Sequence, residues 1–191
     1  MRIAIHRLAA IAAAFSLPLL LAACGGNKSA IDQATAGLPS GATVVNGIAV
    51  PPDPGPENDA TLAGIDTTGS GVRDDVYRAL AMRFGSNPVV FRAALQDAQA
   101  DQMSVLANGD PTLSNAANDA EMASGTCNAD VISDENGWSN PAWLRMGDVI
   151  WALTVDTPDR LSAFERTESI NTPDIQTPQE DRVDCKRVLT V

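Results

Sequence analysis

The stretch "NPVVFRAALQDAQADQMSVLANGDP" (residues 87–111) decides the fold. Asn87 is a side-chain acceptor ahead of Pro88, whose missing N–H and fixed φ suit the first turn of a helix. Phe91, Ala94, Leu95, Ala98, Val105 and Leu106 then fall on one face at helical spacing. "NGDP" ends that helix and starts another, because Asp110-Pro111 repeats the acceptor-proline signature. Leu113, Ala116, Ala117 and Ala120 supply the next apolar face, and Gly125 closes it.

The same pattern extends in both directions. Val76, Leu80 and Phe84 recur every four residues before Gly85, where a left-handed cap is expected. Asn140-Pro141 opens a helix with Trp143, Leu144, Gly147, Ile150, Trp151 and Thr154 on one side, the two tryptophans as core. Thr157 caps a short helix over 156–164, and "TPQE" (177–180) is a capping box. The predicted fold class is mainly α, a small single-domain bundle of about four to five helices over 58–191. Ahead of it, 24–57 reads as a Pro/Gly-rich tether, stiffened by Pro51, Pro52, Pro54 and Pro56. Within that tether, 42–50 forms a minor strand or hairpin around Asn46-Gly47.

The first residues carry a separate signal. "MRIAIHR" is a short basic lead, Leu8 to Ala23 is apolar, and "LAAC" ends at Cys24, so 1–23 reads as an export signal. Leu21-Ala22-Ala23-Cys24 resembles the lipobox of bacterial lipoproteins, which implies cleavage before Cys24 and acylation, palmitate included, of its sulfur. Gly25, where an Asp implies inner-membrane retention, points to an outer-membrane lipid anchor facing the periplasm or the cell surface. Cleavage removes His6, the only histidine, together with Arg2 and Arg7. Eleven Lys and Arg then face 24 Asp and Glu, a net charge of −13. That balance excludes nucleic acid as a partner, since phosphates are neutralised by clustered cations. With Cys24 acylated, Cys127 and Cys185 are expected to pair as one structural disulfide in an oxidising compartment.

"GIDTTGSGVRDDV" (64–76) is the candidate site. Asp66, Thr68, Ser70, Val72 and Asp74 fall at alternate positions, with Asp75 next and Gly71 at the bend. Such oxygens suit a hard cation, Ca²⁺ before Mg²⁺, and Asp59 is a further donor. The spacing resembles the calcium loops of thrombospondin type 3 repeats and dockerin-like modules, a likeness covering about a dozen residues. It departs from them at Thr68 and Ser70, and Tyr77 stands where an EF-hand-like loop places its bidentate Glu. "GID" with "GVRDDV", the proline-rich lead and the helical body also resemble an uncharacterised group of bacterial lipoproteins. The same residues equally suit a metal-free turn, with Asp66 in an Asx turn and Asp74 or Asp75 capping the helix.

Two functions are compatible with these features. One is a non-catalytic envelope lipoprotein, a helical interaction or structural module with an envelope protein partner, calcium serving as a staple. The other is a hydrolase using paired carboxylates, drawn from Asp74 and Asp75 or from Asp130, Asp134 and Glu135. Trp138, in a turn, is the aromatic side chain to test for partner binding.

Overall fold

A computed structural model describes residues 32–129 and 140–170. The fold is mainly helical, as expected. A hairpin of β1 (Thr43–Val45) and β2 (Ile48–Val50) leads through a 3₁₀ turn (Gly55–Ala60) into five helices. These are α1 (Asp74–Phe84), α2 (Pro88–Ala107), α3 (Pro111–Cys127), α4 (Asn140–Thr154) and α5 (Pro158–Ile170). Cys24, Trp138, the 177–180 capping box and Cys185 lie outside the described residues, as do Asp130, Asp134 and Glu135.

Local chemistry sets the helix starts. The Asn87 carboxamide oxygen accepts from the amides of Val89 and Val90 at 3.0 and 3.3 Å. Asp110 does the same for Thr112 and Leu113 at 2.9 and 3.0 Å. Thr157 Oγ1 accepts from the Arg160 amide at 3.3 Å. Each cap satisfies amides that have no partner inside their helix. Asn108 and Gly109 both have positive φ, which reverses the chain between α2 and α3.

Helix α2 is the axis of the body. It packs against α1, α3, α4 and α5. Ala93, Ala94, Ala98, Ala100, Ser104 and Ala107 are all buried, and these small side chains let four neighbours approach one backbone. The main apolar core joins Val50, Val72, Val76, Leu80, Phe91, Met146 and Ile150 around it. Tyr77 meets Phe91 edge to face at 5.6 Å. A second, smaller core gathers Val105, Val155 and Ala163 with Leu62, Leu161 and Phe164.

Several expectations are corrected. The folded body begins at the hairpin rather than at residue 58, because Val50 is fully buried and Val45 and Ile48 pack on the same core. The hairpin register pairs Val45 with Ile48 across Asn46-Gly47, both at positive φ, the twist that two-residue turns need. Gly85 is right-handed, with φ −64°. It is glycine for space, since a Cβ there would lie 2.9 Å from Ile48 Cδ1 and 3.1 Å from Asn46 Cβ. Helix α3 runs past Gly125 to Cys127 and buries Ser114, Ala117, Ser124 and Cys127, leaving Leu113 53 % exposed. On α4 the buried positions are Met146, Ile150 and Thr154, while Leu144 and Trp151 are 56 % and 43 % exposed. Leu106 also faces solvent.

Gly85→Val is expected to destabilise the domain by about 1–3 kcal/mol by forcing the hairpin off α1. Gly125→Ala, in helix with open space around it, is expected to stabilise by about 0.5–1 kcal/mol. Urea denaturation of both variants checks the contrast.

Candidate functional site

Helix α1 starts at Asp74 because the Asp74 amide donates to Ile65 O at 2.7 Å, closing the 65–74 loop. Within the loop, Asp66 Oδ1 accepts from Thr68 Oγ1 and the Ser70 amide, and Asp66 Oδ2 from the Gly71 amide at 2.8 Å. Positive φ at Gly69 and Gly71 permits this fold-back. Ser70 Oγ donates to Val72 O at 3.2 Å. Asp74 is buried and turns back to Thr67, accepting from its amide at 2.9 Å and its hydroxyl at 2.7 Å. Asp75 turns to Arg73, and Asp59 to Arg160, at 3.1 and 3.0 Å.

The metal candidates Asp66, Thr68, Ser70, Val72, Asp74 and Asp75 are therefore neighbours, but their oxygens face protein donors rather than one centre. Among the described residues no three Asp, Glu, His or Cys side chains are grouped to hold a metal ion. Neither Asp74 nor Asp75 accepts a cap bond at the start of α1, where Arg73 is the N-cap residue. Both still lie in its first turn, where the helix dipole favours negative charge.

Two arginines hold this loop to the helices. Arg73 is fully buried. Its guanidinium donates to Leu153 O at 2.8 Å and Thr154 O at 2.9 Å, capping the carbonyls at the end of α4. It also pairs with Asp75 and Asp156, each at 3.1 Å. Arg160, equally buried, pairs with Asp156 at 2.8 Å and Asp59 at 3.0 Å, and donates to the carbonyls of Asn58 and Thr61. Asp156 is thus shared between the two cations.

A second polar group lies where α2 meets α3 and α5. Ser124 Oγ donates to Asp97 at 2.6 Å, Ser104 Oγ donates to Glu121 at 2.5 Å, and Asn128 Nδ2 reaches Ser124 Oγ at 3.4 Å. Burial pushes the Asp101 carboxyl up to about 8, and the charges of Asp97, Glu121 and Glu168 push the same way. Glu121 rises to about 6, chiefly by burial, with the Ser104 hydrogen bond opposing. Asp97 is raised by burial against the Ser124 hydrogen bond. These residues were not among the sequence candidates, although a signal existed: 91, 94, 98, 101 and 105 form a 3-4 spaced stripe in which Asp101 occupies a core position.

A groove of about 400 Å³ runs between α1 and α4, lined by Arg83, Phe84, Ala142, Arg145, Met146 and Val149. Its described lining has an apolar floor with two guanidinium groups and no carboxylate, hydroxyl or thiol. Cys127 is buried at the end of α3. Its expected partner, Cys185, is outside the described residues.

Asp66→Ala removes the acceptor of two amides and a hydroxyl and is expected to cost about 1–3 kcal/mol, equally in chelator and in millimolar calcium. A melting temperature that rises with calcium in the parent chain, and not in the variant, would assign the loop to the metal. Arg73→Met breaks a buried pair and is expected to cost about 3–5 kcal/mol by urea denaturation. No family model, no curated protein and no solved structure matches this chain.

Proposed function

We propose that this chain is a non-catalytic envelope lipoprotein, anchored to the outer membrane through an acyl group on Cys24, whose helical body docks an envelope protein. The leader and "LAAC" support the anchor. Among the described residues no helix is long and apolar enough to cross a membrane.

The observation that carries the docking reading is the groove between α1 and α4. Arg83 and Arg145 are exposed and belong to none of the ion pairs found among the described residues. On a body with a mature charge of −13, two such cations over an apolar floor favour a partner with an acidic-apolar segment, which they would steer and orient. The 64–76 loop is closed in this reading by its own amides and hydroxyls, and calcium enters as a staple only if it raises the melting temperature of the parent chain and not of Asp66→Ala. The competing reading, a carboxylate-dependent hydrolase, draws its best support from Asp101 and Glu121, whose environments separate their protonation. It needs a substrate cavity that reaches them, and the groove is lined by neither.

The test is a photo-crosslinker at Val149 in the anchored protein, in cells. One discrete cross-linked envelope protein is expected, lost in the Arg83→Glu, Arg145→Glu double variant while the helical CD spectrum is unchanged. An equal cross-link in both backgrounds would remove the groove from the reading.

A further inference from the structure

We infer that the α2–α3 seam is a proton-operated latch: helix α3 is held shut while the neighbouring carboxyls of Asp97, Asp101 and Glu121 are neutral, and opens locally when they ionise. The geometry points there because, among the described residues, α3 contributes no side chain to either apolar core. Its packing against α2 is nevertheless the most extensive helix pair in the body. The face it buries is Ser114, Ala117, Ser124 and Cys127, with Glu121 beside them. A seam of small and polar side chains gains little from apolar burial, so its polar contacts decide whether it closes.

Among the described residues, the ionisable side chains gathered around Asp101 carry one sign of charge. Asp97 and Asp101 face the seam from α2, Glu121 from α3 and Glu168 from α5, while α4 brings Gly147, whose Cβ position lies 3.9 Å from Asp97 Oδ2. Helix α3 has no basic residue. Arg92 on α2, Arg145 on α4, and Arg160 and Arg166 on α5 make none of the hydrogen bonds or ion pairs that the described residues give Asp97, Asp101 and Glu121. Arg160 belongs to the Asp156 cluster and Arg166 donates to Asn108. Ser114 Oγ in the first turn of α3 and Asn128 Oδ1 at its C-cap, both buried, have no hydrogen-bond partner among the described residues, so polar capacity is left unused at both ends of the helix.

The direction in pH follows from linkage. A carboxyl whose pKa is raised on folding binds more protons folded than unfolded, so its contribution is fully present below the unfolded value and is lost as pH rises through the folded one. For Glu121 that window runs from 4.5 to about 6, and for Asp101 from 3.8 to about 8. The seam is thus tightest in mild acid.

Hydrogen exchange of the full mature chain, corrected for intrinsic rate, tests this at about pH 5 and about pH 8. Protection of α3 amides is expected to fall about tenfold or more at the higher pH, with α1 and α4 unchanged. Asp101→Asn and Glu121→Gln, each a neutral mimic of the protonated form, are expected to keep α3 protected at pH 8. An equal fall in every helix, no fall in α3, or a fall that persists in both variants would overturn the latch. Restoration of protection at pH 8 by millimolar calcium or magnesium would overturn it too, in favour of a cation site.

Discussion

Two buried guanidinium groups sharing Asp156 are the constraint on which the arrangement rests. A buried charge is costly unless its hydrogen bonds are met, and Arg73 and both terminal nitrogens of Arg160 meet theirs with segments far apart in the chain, only Arg160 Nε lacking a partner among the described residues. Arg73 ties the start of α1 to the end of α4, through the carbonyls of Leu153 and Thr154. Arg160 ties the start of α5 to the 58–61 turn. Once both are placed, the 64–75 loop has fixed ends, and Asp66 and Asp74 can close it with its own amides and hydroxyls. The loop thereby follows from the ion cluster as much as from its own sequence.

Much of the architecture was legible because it is written in local chemistry. Asn87-Pro88, Asp110-Pro111 and Thr157 each place a helix start through a side chain acting on amides two or three residues away. The Asn46-Gly47 turn was legible for the same reason. What depends on neighbours distant in sequence was not. Gly85 suited a left-handed cap until Ile48 and Asn46 proved to need its space. The apolar residues of α3 suggested one face, but α2 offers serine and carboxyl groups, and the helix buries Ser114 and turns Ser124 toward Asp97.

The candidate site divides in the same way. Spacing located the acidic loop and its donors, but it could not show that Asp75 and Asp59 are claimed by Arg73 and Arg160. Charged residues in a sequence are read first as solvated, which is why two buried arginines and the carboxyls of Asp97, Asp101 and Glu121 passed unmarked. Their burial becomes visible only when α2 is seen to be surrounded by four helices. The two clusters also differ in kind: one balances cation against anion, whereas the other gathers like charges whose neutrality depends on the solvent.

The hairpin has a mechanical consequence. Thr43 pairs with Val50 at the open end of the ladder, so the strand entering the body and the strand anchored in its core lie side by side. A pull arriving from the N-terminal side loads the rungs in turn, from Thr43–Val50 to Val45–Ile48, like a zip rather than a rope in shear. With three rungs and hydrogen bonds worth about 1 kcal/mol each, β1 would yield under tension well before the helices felt it. Tension from that side would thus free β1 first and spare the helices.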